Sequence, residues 1–428
     1  MIDHADRCEQ GRSLDTIAPG AHPRPVTATT LPAPSRRLPH GAAFWTTAAV
    51  FLAAMAFTTI PTPLYALYQQ RDGFPTWVVT VVFAAYAAGV ALSLYLVGHV
   101  SDWVGRKPPA LFALGLEVVA SVLFLLLPTV PVLLVARFLT GLGVGALTAA
   151  ATAHLGELWR GAGGPRRPGV PAVVATIANI GGLGLGPLVG GLLAEYAPAP
   201  LVTPYVVALV VLVLAAVAVL VAPETVERSS RAWRPQRLTV PAEGRGVFSA
   251  AGAGVFAAFA IFGLFTSLAP SFLAGEFQQP SRLVAGVVPF AVFAVAALGQ
   301  VFFTPVAVRV QLVVATVAMV VGLAGLAAGA LVTAEWLFVA GGLVAGLGVG
   351  LLFRASLGIA TGLVPAPQRG EVLAAMFLIA YVGLTVPVLL VGAALAFLPA
   401  VPVLVVFSAA IAVLAAVAGP RMAAKAAR

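Results

Sequence analysis

Between two long apolar runs the chain carries the turn GHVSDWVGRKPP, residues 98–109, which gathers Asp102, Arg106 and Lys107 in a sequence that is only 9% charged. A carboxylate beside two cations can make charge-assisted hydrogen bonds in one arrangement of neighbouring helices and break them in another. Three more ionisable residues, Glu117, Arg137 and Arg354, lie inside apolar runs. Side chains of that kind face a partner, a cavity or a pathway, because lipid does not solvate them. Glu117, near the middle of its run, is by its chemistry a candidate proton carrier; a structural, hydrogen-bonded carboxyl is the alternative reading. Asn179, Gln300 and Tyr65, the last in the stretch TTIPTPLYALY (58–68), are candidate cavity residues. A hydrogen bond between helices accounts for either amide without a ligand. An intramembrane enzyme would need a nucleophile with its base, or a metal cluster. The runs contain no cysteine and have His154 alone near an inner end, so no catalytic residue, metal site or cofactor is expected.

The elements that must hold these residues are legible from composition. The 428 residues are 61% hydrophobic, with a mean hydropathy of +1.03, beyond what a soluble core can hide. Continuous apolar stretches of about 18 residues or more read as helices crossing a bilayer, whereas barrel strands would alternate. Twelve are expected, at 41–68, 76–97, 109–128, 131–155, 170–196, 202–222, 247–273, 283–306, 311–332, 336–363, 371–394 and 396–418. The fold class is therefore all-α integral membrane, with FLPAVP (397–402) serving as the last turn because proline removes a backbone donor.

Charge fixes the expected orientation. With the N-terminus inside, twenty of the 24 lysines and arginines fall on the inner side and only Arg71 and Arg282 on the outer. This is the positive-inside bias, and it puts both termini in the cytoplasm; the expected location is the plasma (inner) membrane. The net charge of +9 then needs no nucleic acid to explain it. Residues 1–40, rich in proline and arginine, read as a disordered cytoplasmic tail holding the single cysteine, Cys8. The basic stretch 223–246 reads as a cytoplasmic linker between a first six-helix half, 41–222, and a second, 247–418. Residues 419–428 read as a second tail.

GLGVG occurs at Gly141–Gly145 and again at Gly346–Gly350, in corresponding runs of the two halves. Duplicated halves around a central site are an architecture of secondary transporters. The turn at 98–109 resembles the loop G-x-x-x-D-x-x-G-R-[KR] of the major facilitator superfamily, matched by Gly98, Asp102, Gly105, Arg106 and Lys107. RFLTGLGVG, from Arg137, is similar to a second pattern of that family, and GLGLGPLVGG (182–191) to a third through Gly182, Gly186, Pro187, Gly190 and Gly191. The resemblance implies two six-helix halves and a gating latch at 98–107. It also implies an Arg137 that borders the central cavity and takes part in proton coupling, and a bent, tightly packed fifth helix. It further implies a drug-efflux style of activity: export of small organic compounds by alternating access in exchange for protons. Trp103 stands where the family often has a basic residue, and the second half keeps only Arg309 of the latch. A metabolite transporter of the same fold, for sugars, amino acids or organic anions, is the alternative; a channel or an intramembrane enzyme is a remote one. Arginines without carboxylates would bias a cavity toward neutral or anionic amphiphiles. The expected partners are a small-molecule substrate, protons and the lipid bilayer, with the protein a monomer.

Overall fold

The computed structural model describes residues 38–98, 100–126, 129–163, 169–227, 229, 238–240 and 244–425. Most of the expected N-terminal tail, with Cys8, lies outside the described residues, as do Arg166, Arg167, Arg228, Arg231, Arg234, Arg237 and Arg428. Among the described residues twelve helices are long and apolar enough to cross a membrane. The first six are α1 His40–Asp72, α2 Thr76–Leu96, α3 Lys107–Leu126, α4 Val130–Gly161, α5 Val170–Tyr196 and α6 Thr203–Val221. The second six are α7 Arg245–Ser267, α8 Arg282–Phe302, α9 Val308–Leu331, α10 Glu335–Gly362, α11 Arg369–Ala394 and α12 Ala400–Ala424.

The expected limits move where polar side chains find partners. α4 runs to Gly161, past the expected end at 155, because His154 and Glu157 are not left to lipid. His154 Nε2 lies 3.1 Å from the Pro223 carbonyl and Glu157 accepts from Arg106, so the helix continues through them. α1 persists to Asp72 by absorbing Pro61 and Pro63 in a 3-10 turn at Thr62–Leu64. The last turn closes before Ala400, with Pro402 inside the first turn of α12, where a missing N–H leaves no helical bond unmade. Residues 419–425, expected to follow the last span, continue its helix to Lys425.

Apolar attraction does not hold helices together in lipid, so close packing must. The repeated glycines do this in the same way twice. A Cβ at Gly141 or Gly145 would strike α2, at the carbonyl of Tyr86 and the side chain of Ser93, while one at Gly143 would strike Ala113 of α3. In the second set, Gly346 and Gly350 seat on Val292 and Ala296 of α8, and Gly348 on Ala315 and Met319 of α9. α4 and α10 are thus equivalent central helices. The two sets meet along α2 with α11 and α5 with α8, where Gly191 faces Gly286 and Gly392 faces Thr80. α6 turns Leu214, 62% exposed, and Leu220 outward, as a lipid-facing helix would. The Leu38 amide donates to the Val221 carbonyl, which puts the beginning of α1 beside the end of α6, and the even number of crossings brings α12 back to that face.

Candidate functional site

A cavity of about 400 Å³ lies between the two helix sets. Its lining reaches from Thr59 and Thr266, midway along α1 and late in α7, to Leu94 and Ala172 in the terminal turns of α2 and α5 on the terminus-bearing side. Toward the other face the sets are tied together. Thr62 donates to the Thr266 carbonyl at 3.0 Å, Ser271 to Gln69 Oε1 at 3.1 Å, and the Arg282 amide to Glu195 at 2.8 Å. The cavity is therefore closed opposite the termini and extends toward them.

The wall is built chiefly of rings and hydroxyls. Phe259 packs edge-on against Tyr381 at 5.8 Å and tilted against Phe353 at 5.2 Å, and Phe262 stacks on Phe293 at 4.1 Å. α5 contributes through a π-helical segment, Ile177–Gly181, which presents Asn179 and Ile180 to the cavity. Such π-bulges insert one residue into the helical register and re-aim the side chains beyond it. In the next turns, Gly182, Gly186 and Gly190 seat α5 on α1, against Met55, Ala56 and Ile60. The Pro187 carbonyl and Gly191 meet Gly286 of α8. One glycine-rich stretch thus forms two seams, and Thr59 reinforces the first by donating to the Leu183 carbonyl at 2.8 Å.

Of the candidate cavity residues, Asn179, Gln300 and Arg354 are in the lining. Tyr65 is not: it is fully buried among the first six helices, and its hydroxyl has no hydrogen-bond partner. Arg137 stands one layer behind the wall. Its guanidinium lies 4.5 Å above the ring of Tyr86, a lining residue, and donates to the Thr58 carbonyl. Glu117 is fully buried in α3 against Gly143, outside the lining, and neither carboxyl oxygen has a hydrogen-bond partner. The rings of Phe353, Phe377 and Tyr381, the π-segment and the threonine hydroxyls were not singled out by the sequence. Aromatic residues inside apolar runs give no sign of which face they occupy.

The charged turn forms a second cluster on the terminus-bearing face. Arg106, with a side chain only 8% exposed, donates to Asp102 at 2.7 Å, to Glu157 at 2.7 Å and to Ser101 at 2.8 Å. Burial works against the Arg106 cation, but the Glu157 and Asp102 carboxylates outweigh it and raise the guanidinium pKa. Glu224, beyond the end of α6, accepts from the Arg106 amide at 2.8 Å and the Lys107 amide at 3.1 Å. Burial alone would raise the Glu224 pKa; these backbone donors and those of Thr225 and Val226 bring it below the usual carboxylate value. Gly105 makes the approach possible with a φ of +107°, where a Cβ would also collide with the Glu224 carboxylate. Lys107 Nζ caps the end of α6 through the Leu220 and Ala222 carbonyls. Asp102 has a side chain 64% exposed and meets Arg106 from the solvent side. Gly98 lies in the turn after α2, packed on the Leu94 carbonyl. All the partners named in this cluster belong to the first six helices and the segment that follows them.

Two six-helix sets, related by a repeated central helix and enclosing a cavity at their interface, define a multi-pass membrane transporter. The sequence matches the Major Facilitator Superfamily over residues 46–312, and the chain belongs to that family. A 65-residue stretch is 42% identical to the multidrug resistance protein MdtL of Escherichia coli O139:H28 (strain E24377A / ETEC). It is as similar to MdtL of Shigella boydii serotype 18 (strain CDC 3083-94 / BS512). The match covers 15% of this chain and 17% of the length of those relatives. Among solved structures, a mutant of the nucleoside transporter NupG is similar with a TM-score of 0.68 at 11% identity, covering 89% of this chain and 99% of that one. The human organic anion transporter MFSD10 (TETRAN) gives 0.64 at 16% identity over 90% and 100% of the two chains. A POT family transporter in complex with 5-aminolevulinic acid gives 0.69 at 10% identity over 88% and 94%. At these identities the likeness concerns the fold.

Proposed function

We propose that the protein is a secondary active exporter that carries small organic compounds outward by alternating access, in exchange for protons. The observation that supports this best is the cavity between the two helix sets, sealed on one face and reaching the other. Such an arrangement is one of the two end states that rocking halves require. The excess of lysine and arginine on the terminus-bearing face supports a cytoplasmic location for it in the plasma (inner) membrane. The cavity then faces the cytoplasm, where an exporter loads. The stretch similar to MdtL, a multidrug resistance protein, favours export of organic compounds. In this reading residues 41–222 and 247–418 rock as two bodies joined by the linker 223–246, and the protein works as a monomer. The cluster of Gly98, Asp102, Gly105, Arg106 and Lys107 is the latch, open here and closing against the second half in the other state. Arg137 and Glu117 carry the proton step. Purified protein in liposomes with an imposed pH gradient, tested over a panel of organic compounds, is expected to move at least one compound against the proton flow. Transport that ignores the gradient refutes the exchange.

A further inference from the structure

The cavity has one charged side chain in its described lining, Arg354, and no carboxylate. Arg354 projects from α10 toward the end of α8, where its Nη1 donates to the Gln300 carbonyl at 2.8 Å and to Thr304 Oγ1 at 3.0 Å. Among the described residues no acid forms an ion pair with it, and none supplies an acceptor to its Nε and Nη2 edge. Beside it, Gln300 is buried, and its Nε2 donor has no hydrogen-bond partner. A buried donor left unsatisfied is costly, and a guanidinium with an open edge matches the two oxygens of a carboxylate. At this corner of the cavity the protein supplies no acceptor to the open edge of the half-buried Arg354 or to the buried Gln300 amide.

The rest of the wall specifies the body that would accompany that acceptor. Phe353 adjoins Arg354 and packs with Phe259 and Phe377, giving an apolar, aromatic stretch of the cavity wall next to the donor corner. A single cation compensates a single negative charge; a second would be buried without a partner. We infer that the cavity selects organic monoanions with a flat apolar body, the anionic group held by Arg354 and Gln300 and the body lying among the rings of Phe259, Phe353 and Phe377. This rests on the proposal that the cavity is the site of the transported compound.

Three compounds of one size and different charge test it: 2-naphthoate, 2-naphthamide and 2-naphthylmethylammonium. Their equilibrium binding is measured on the full chain in lipid nanodiscs, with empty nanodiscs subtracted. The expected order is naphthoate tighter than the ammonium compound by on the order of tenfold or more, as for a hydrogen bond to a charged group. Arg354→Gln should remove that preference while naphthamide binding stays within about twofold, and Arg354→Lys should keep part of it. Asn179→Asp, which adds a carboxylate to the same cavity, should move the preference toward the ammonium compound and serves if Arg354→Gln fails to fold. Equal or tighter binding of the ammonium compound, no binding of naphthoate, or naphthoate binding indifferent to both variants overturns the assignment. Liposome transport of the same three separates the two ideas. Arg354-dependent naphthoate binding without movement of any compound refutes the transport reading alone. Proton-driven movement of the ammonium compound in preference to naphthoate refutes the anion assignment alone.

Discussion

Glu224 sits 118 positions from Arg106 in sequence, yet its carboxylate holds the two amides that begin α3. The first amides of a helix lack intrahelical partners, and an anion placed there also meets the positive end of the helix dipole. Glu224→Gln keeps one acceptor oxygen and loses the charge, and a thermal melt in detergent is expected to register a loss of about 1–3 kcal/mol. Because the native value of Glu224 lies below its unfolded one, its contribution is complete above the unfolded value, about 4.3. It is lost as pH falls through the depressed native value. The melting temperature of the parent should therefore fall more steeply on acidification below about pH 4.3 than that of Glu224→Gln. Arg137 offers a second comparison. Arg137→Ala removes both the stack on Tyr86 and the bond to Thr58, whereas Arg137→Lys keeps the charge without the planar fork. On the proposed coupling, the alanine variant should lose gradient-driven efflux and the lysine variant retain part of it, with binding measured without a gradient changing less. Arg137 and Arg354 were both visible in the sequence as charges well inside apolar runs. Which one reaches the cavity was not, because one ring, Tyr86, decides it. The partnership of Arg106 with Glu157 and Glu224 was equally hidden, since its members are scattered along the chain and meet only after α3, α4 and α6 pack.

At the level of elements, apolar run length located the twelve helices found among the described residues, and the end of α4 was misplaced where polar residues suggested it. His154 and Glu157 looked like the close of α4, yet both are satisfied by the segment after α6, so backbone hydrogen bonding continues to Gly161. The π-segment of α5 left no mark in sequence, since a one-residue register change needs no special residue type. The glycines were legible as a pattern, and their seams define a contrast that can be measured. A Cβ at Gly186 would collide with the Ala56 carbonyl and Thr59 Oγ1, whereas one at Gly358 in α10 meets nothing within 4 Å. Overpacking of this kind costs about 1–3 kcal/mol, while an open helical glycine replaced by alanine gains up to about 1 kcal/mol. Gly186→Ala is expected to lower the melting temperature and the yield of monodisperse protein. Gly358→Ala should leave both unchanged or slightly raised. Equal behaviour of the two would mean that the seam between α5 and α1 relaxes without cost.

For the whole molecule, the question is whether the ties between the two helix sets open during transport. Gln69 in α1 and Ser271, just beyond α7, share a hydrogen bond at 3.1 Å on the face away from the termini. Thr152 in α4 and Leu357 in α10 both line the cavity on the terminus-bearing side, one from each set. The one native cysteine, Cys8, is replaced by serine so that only introduced thiols react. In that background Gln69→Cys with Ser271→Cys is expected to be joined readily by a short bifunctional thiol reagent, and the joined protein should stop transporting. Leu357→Cys added to the same chain should still react with a polar thiol reagent supplied from the terminus-bearing side, because the cross-link holds the molecule in the state with that side open. Single cysteines at Ser229 and Gln278 should label from opposite faces and so establish which side that is. Alternating access also requires that a transported compound with an imposed gradient slow the Gln69 to Ser271 cross-linking, since each cycle separates those residues for part of the time. Were the cross-linked protein to transport at the parental rate, the closure near Gln69 would be a fixed part of the fold, and the compound would have to leave by a path that does not part the two halves.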